Sequence, residues 1–334
     1  GQVAKVLGLP LHVHRQDLDR LEQDMPRLLV ESDGLVDVAK IHRDWQAAHA
    51  RRARGTTVLA HGGGGELLKD FYFHHEFPFY GRRAASLERL YDLRIAPMPL
   101  NDAQLTPAAQ QQVRDCRAGI VARLEALREP TNHATCDRVF HGFRLPEFFG
   151  GHFSTYVNLG VSVVAPLMDR EVAMAAAALS PWTRMMEGQH RRLLHGLWPG
   201  AAALPTTSGY SASWQPARVA RDMLGYGSNE VRRLVNKLGQ RHLGRAPFPR
   251  AGALDTDARD FGRRLRELPA FHAGLAQLKE RGIYVRDLDP SAVRSHEVGR
   301  ILTLGLCFAH LEQFRRERRL PAARLSGGSV AHAY

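Results

Sequence analysis

Four consecutive glycines, Gly62, Gly63, Gly64 and Gly65, follow the strand-like run Thr56-Thr57-Val58-Leu59-Ala60-His61 and lead into Glu66-Leu67-Leu68. With no Cβ in the way, the amides of such a run can close on a phosphate or a carboxylate; the same run also serves as a surface loop. Glu66 follows directly. It either stands on the first turn of a helix, where the helix dipole favours an acid, or offers its carboxylate to a metal or a substrate. Asp169, after Ala165-Pro166-Leu167-Met168, fits a helix cap ahead of Arg170-Glu171-Val172 and fits a pocket floor equally. His74-His75-Glu76, with His61 upstream, brings three imidazoles into one region. Adjacent histidines on a helix point in different directions and no His-x-x-x-His pair accompanies them, so a metal site is not expected there.

Elements able to position these groups are legible from periodicity. Ala4, Leu7 and Leu9 suggest a helix tail and a short strand. Asp17 can cap a helix with Leu18, Leu21, Met25 and Leu28 on one face, which Pro26 should kink or split. Val38, Ile41, Trp45 and Ala48 repeat at helical spacing, and residues 56–60 form a short apolar β run ending at the glycines. Helix, strand, glycine loop and helix make a βα unit of a parallel sheet, in which ligands sit at the carboxyl ends of the strands. Beyond the aromatic stretch 71–80 the patterns are helical. Val113, Cys116, Ile120, Leu124 and Leu127 share a stripe, and further helices are expected at 169–179, 191–198, 230–242 and 297–316. Residues 243–252 read as a loop or linker, and no internal repeat is present. The fold class expected is α/β: a partial parallel sheet flanked by helices in residues 1–100, a mostly α-helical part in 101–320, and a loose tail at 321–334.

The glycine run and its surroundings resemble the C-terminal synthetase domain of asparagine synthases, where the corresponding stretch reads Ser-Gly-Glu-Gly-Ala-Asp-Glu-Leu-Phe after a buried strand. On that motif His61 falls on the serine, Gly62 and Gly64 on the two glycines, Gly63 on the glutamate, Glu66 on the aspartate and Leu67 on the second acid. Ser32-Asp33-Gly34-Leu35-Val36-Asp37 is similar to Asp-Glu-Pro-x-x-Asp, Ala165-Pro166-Leu167-Met168-Asp169 to Pro-Phe-Leu-Asp, and Glu187-Gly188-Gln189-His190-Arg191-Arg192-Leu193-Leu194 to Gly-x-x-Lys-x-Leu-Leu. Residues 301–308 look like the helix that closes the same domain.

The resemblance implies an adenine nucleotide alpha hydrolase-like fold. It also implies a ligase that adenylates a carboxylate with ATP and Mg²⁺, releases pyrophosphate and lets ammonia or an amine attack. Arg191 aligns with the pyrophosphate-binding lysine and gains a planar fork for phosphate. Glu66 becomes the candidate for catalysis and for Mg²⁺. The glycines with Asp33, Asp37 and Asp169 become the nucleotide and substrate contacts. Two acids of the motif are absent at Gly63 and Leu67, so the amide formed need not be that of asparagine. The family's Ser-Gly-Gly-x-Asp-Ser phosphate loop lies upstream of the first residue here, and Ser326-Gly327-Gly328-Ser329 lacks both its strand and its aspartate. The expected partners are therefore a nucleotide, a carboxylate substrate, and a glutaminase domain or an N-terminal segment that completes the site. The alternative is a non-catalytic relative that keeps the fold for binding or scaffolding.

Composition narrows these classes little. In 334 residues Lys and Arg number 46 against 34 Asp and Glu, a formal net charge of +12 that would draw nucleotides, anionic membranes and nucleic acid alike. The arginines are spread over helix faces without interleaved aromatics, which argues against a nucleic-acid site. Cys116, Cys136 and Cys307 are few and widely spaced, as free thiols in a reducing compartment would be. No apolar stretch approaches the roughly 20 residues a membrane span needs. The expectation is a soluble, cytoplasmic protein.

Overall fold

A computed structural model describes residues 1–14, 16–34, 36–69, 83–184, 187–206, 210–243 and 253–318. The expectations for His74, His75 and Glu76, for 244–252 and for the tail from 321 lie outside the described residues. The chain is mostly helical around one small sheet, in which β1 (Val58–Ala60) pairs in parallel with β2 (Ser162–Val164). Val58 faces Ser162, Leu59 faces Val163 and Ala60 faces Val164. The ladder continues at both ends, where Ser162 N–H donates to Thr57 O and His61 N–H to Val164 O.

Strand alternation places Leu59 and Val163 on one face and Val58, Ala60, Ser162 and Val164 on the other. The first face is half-buried, with Leu59 against the main core; the second is exposed, at 56% for Val58 and 49% for Val164. The sheet expected to be flanked by helices is thus covered on one side. Parallel sheets are usually covered on both.

The main core is helical. Leu21, Met25 and Leu28 of helix Leu21–Glu31 and Val38, Ile41 and Trp45 of helix Val38–Ala53 meet Phe271, Leu275 and Leu278 of helix Pro269–Glu280. Val298, Ile301 and Leu302 of helix Ser295–Arg318 complete it. Phe271 is fully buried, a contribution of about 1.5–3 kcal/mol from apolar transfer. Helices Pro269–Glu280 and Ser295–Arg318 cross where Gly274 meets Gly305; a Cβ on Gly305 would lie 2.5 Å from Gly274 Cα. A second core gathers Leu67, Leu87, Leu90, Leu124, Val139, Phe140, Phe143 and Ala176.

A polar network fixes the first two of these helices. His42, fully buried, sits between Gln16 Nε2, 3.2 Å from its Nδ1, and Asp24 Oδ2, 3.0 Å from its Nε2. Gln46 Nε2 donates to the same Asp24 oxygen at 3.2 Å, so every polar atom of this buried group facing the core has a partner.

Several boundaries differ from the sequence reading. The first long helix begins at Leu21, four residues past Asp17, and passes through Pro26 unbroken. Proline in its second turn removes one hydrogen bond, and burial of Leu21, Met25, Leu28 and Leu29 outweighs that loss. The β run shortens to three residues, and the N-terminal segment forms helix Gln2–Val6 with no strand after it. On helix Pro107–Glu125 the stripe serves two cores: Val113 packs on the main one and Ile120 and Leu124 on the second, while Cys116 between them is exposed. The helix expected at 230–242 is part of Pro216–Leu243. Helices Ala253–Glu267 and Pro269–Glu280 were not anticipated. Among the described residues no helix is long and apolar enough to cross a membrane.

Gly305→Ala should force the two crossing helices apart and destabilise the protein by about 1–3 kcal/mol. Urea denaturation should show a lower midpoint with an unchanged slope; an unshifted midpoint would contradict the close crossing.

Candidate functional site

The turn after β1 is organised by its own glycines. Gly64 has φ +87°, a left-handed conformation, and a Cβ there would stand 2.9 Å from the Leu167 carbonyl oxygen and 2.6 Å from Met168 Cγ. Only glycine lets this turn press against the loop that leaves β2. At Gly65 the neighbours are Leu167 Cδ1, 3.2 Å from the Cβ position, and His190 Nε2 at 3.5 Å. Three segments far apart in the chain therefore meet at the carboxyl ends of the two strands: the glycine turn, the 165–169 loop and the first turn of helix Gly188–Leu197.

Two of the turn's amides are used internally. Gly63 N–H donates to His61 Nδ1 at 2.9 Å, and Gly65 N–H donates to Gly62 O at 3.3 Å. The amides of Gly62 and Gly64 hydrogen-bond to no described group; Gly62 is exposed and Gly64 buried. The His61 ring is held edge-on to Phe153 with centroids 5.2 Å apart.

Beyond the turn lies a short helical segment, Gly65–Leu68, with Leu67 anchored in the second core. Glu66 is half-buried and its Oε2 is a buried oxygen with no hydrogen-bond partner among the described residues. The same holds for His190 Nδ1. Burial holds the His190 pKa below its usual value; the charges of Glu187 and Glu66 pull it up and that of Lys69 pushes it down. His190 is therefore neutral at physiological pH, with a lone pair to offer. Lys69 Nζ stands 4.0 Å from Glu187 Oε1. A buried polar atom without a partner costs about 1–3 kcal/mol, and two of them, Glu66 Oε2 and His190 Nδ1, belong to the residues at this end of the sheet.

The start of the His190 helix is held by strain and by close packing. Glu187 adopts φ +59°, unusual for a residue with a side chain, and a Cβ on Gly188 would lie 2.8 Å from Thr183 O. The remaining residues singled out from the sequence have other contacts. Arg191 is buried: its Nη1 donates to Asp222 Oδ2 at 2.9 Å, tying its helix to Pro216–Leu243. Asp222 also accepts from Ser211 N–H and Oγ–H. Asp169 caps helix Arg170–Ala178 through Glu171 N–H at 2.8 Å, beside the residues that touch Gly64. Asp33, at φ +53°, accepts from Asn158 Nδ2 at 3.4 Å, on the amino-terminal approach to β2 and so at the end of the sheet opposite the turn. Asp37 caps helix Val38–Ala53 and abuts Gly299, where a Cβ would meet its Oδ1 at 2.3 Å.

His190 is the residue that sequence reading passed over. Its only signal was its position next to Arg191, one helical step round the axis. Among the described residues no group of three or more His, Cys, Asp or Glu lies close enough to hold a metal ion. The chain matches no protein-family model, no curated protein and no solved structure.

Two substitutions separate architecture from function. Gly64→Ala imposes both a strained backbone and a clash with Leu167, and should cost upward of about 1–3 kcal/mol in denaturant melts. Glu66→Gln removes a charge with an unpartnered oxygen, and its stability should equal or exceed the parent's. A loss comparable to that of Gly64→Ala would assign Glu66 a structural role.

Acid should act on the Arg191 pair. Burial raises the Asp222 pKa, but the hydrogen bonds from Arg191 and Ser211 outweigh that and bring it below the usual aspartate value. A carboxylate depressed on folding contributes stability that is complete above about pH 4 and is lost as pH falls through the folded value. Asp222→Asn should therefore flatten the acid limb of the stability–pH curve while lowering its neutral plateau by about 3–5 kcal/mol.

Proposed function

We propose that this chain is a divergent asparagine synthase-like domain that forms a carbon–nitrogen bond on an ATP-activated carboxylate, with the glycine turn as its reaction centre. The observation that carries this reading is the meeting of the glycine turn, the 165–169 loop and the Glu187–His190 turn at the carboxyl ends of two parallel strands. These are three of the segments through which the sequence resembles that family. The carboxyl end of a parallel sheet is also where α/β folds bind ligands. The adenine nucleotide alpha hydrolase-like arrangement of the strands belongs to the same proposal.

In this reading the exposed Gly62 amide and the end of the turn receive the activated carboxylate. Neutral His190, whose Nδ1 has no partner among the described residues, takes the proton of the amine as it attacks the acyl-adenylate and AMP leaves. Proton removal from the nucleophile by such a positioned acceptor contributes about 10²–10⁴-fold. Mg²⁺ is a hard cation that keeps several waters and is held by one or two carboxylates together with substrate phosphates. The unpartnered Oε2 of Glu66 fits that mode, and no cluster of ligands for an all-protein cage stands near it among the described residues. Bound there, the ion would neutralise charge on the leaving pyrophosphate. Arg191 acts at one remove, fixing through Asp222 the helix that presents His190.

A second reading, a binding or scaffolding module without catalysis, is favoured by two observations. The positive charge of Arg191 is already matched by Asp222, and the Gly63 and Gly65 amides are already bonded within the turn.

Pyrophosphate release decides between them. With ATP, Mg²⁺, ammonia and a panel of amino acids and peptides as carboxylates, the catalytic reading expects release that drops about 10²-fold or more in Glu66→Gln. No release under any pairing, together with no ATP-induced rise in melting temperature, would leave the binding module.

A further inference from the structure

We propose a second ligand site, for a compact polyanion such as a phosphate ester, at the amino-terminal end of the sheet, independent of the glycine-turn reading. A cavity of about 600 Å³ opens there between the 10–14 segment and the end of helix Val38–Ala53, lined by Pro10, Leu11, His12, His14, Ala47, Arg51, Arg54 and Thr56. Its size is that of a small-molecule pocket. No acid lines it.

The two arginines in it stand without counter-ions. Neither Arg51 nor Arg54 takes part in an ion pair or a side-chain hydrogen bond among the described residues, although Arg51 lies near enough to act electrostatically on the Tyr156 hydroxyl; His12 and His14 lie beside them. The adjoining groove of about 650 Å³, which shares His14, is different in this respect. There Arg20 pairs with Asp24, and Arg27 and His49 both pair with Glu31. Two neighbouring cavities on one helix thus differ in that the arginines of one are paired with carboxylates and those of the other are not.

Helix capping does not account for the arginines. A helix C-terminus attracts cations to its free carbonyls, but here backbone amides take them: Arg54 and Thr56 N–H donate to Arg51 O, and Gly55 N–H donates to Arg52 O. Gly55, at φ +82°, makes that wrap possible. Arg51 and Arg54 line the cavity, where the paired donors of a guanidinium suit phosphate oxygens. Pro10, Leu11 and Ala47 supply an apolar wall for the body of the ligand.

Calorimetric titration of the whole protein with inorganic tripolyphosphate at about 0.15 M salt tests this, since weak surface attraction is largely screened there. Without added Mg²⁺, through which the glycine turn would hold phosphates, the expected result is saturable one-site binding, weakened at least tenfold in Arg51→Ala/Arg54→Ala and unchanged in Arg43→Ala/Arg114→Ala, which removes the same charge elsewhere. His190→Ala should also leave it unchanged. Absence of saturable binding, equal weakening in both double variants, or loss in His190→Ala would each overturn the proposal. The last outcome would move the anion to the glycine turn; a failed ligase assay with tripolyphosphate binding intact would reject the ligase reading alone.

Discussion

The contact between Gly64 and the Leu167 carbonyl is the constraint around which the site is organised. Two loops can approach so closely only if one presents bare backbone, and only if the strands feeding them leave the sheet side by side in the same direction. Parallel pairing of β1 and β2 supplies that direction. Between the two strands the chain builds helix Pro107–Glu125, which links the cores, and the long run from Asn132 to Asn158, which includes the wide π-helical turns of Phe140–Phe149. The Glu187–Gly188 turn then brings His190 against Gly65. Replacement of one hydrogen by a methyl group at Gly64 would push the turn off the 165–169 loop.

Charge in this protein divides into groups held for architecture and groups left available. Arg184 grips Asp137 through two hydrogen bonds of 2.8 Å, and Arg191 grips Asp222; both arginines are buried. Such pairs give modest net stability, because desolvation offsets attraction, yet they fix geometry, since loss of one partner strands the other. Together they join the short helices around residues 181–197 to their neighbours. The unpartnered Glu66 oxygen and His190 nitrogen at the glycine turn, and the unpaired arginines beside Thr56, belong to the second group. The formal charge of +12 is therefore less informative than where its members find partners.

The main core was partly legible in the sequence. Leu21, Met25, Leu28, Val38, Ile41 and Trp45 announce their helices by spacing, and all are buried. Phe271, Leu275 and Leu278 follow the same rule behind Pro269, a natural first helical residue, yet the glycine- and proline-rich stretch before them concealed the start of this part. Cys116 shows the limit of periodicity: its spacing matches that of Ile120 and Leu124, but it falls in the gap between two cores. The glycine run follows the strand and Asp169 caps a helix, as the sequence suggests. His190 rather than Arg191 lies against the glycines, because consecutive helical residues point about 100° apart.

By itself the sequence determined the local events: a strand that must end at four glycines, an acid that caps a helix at Asp169, and amphipathic helices with a defined apolar face. These depend on a few neighbouring residues, through φ freedom, dipoles and periodicity. Tertiary structure alone decided which strand pairs with β1, which face of the sheet stays open, and whether Arg191 or His190 turns toward the glycines. Those outcomes depend on Gly64 meeting Leu167, on Asp222 reaching Arg191 across 31 residues and on Gly274 meeting Gly305, contacts that exist only once distant segments have been brought together.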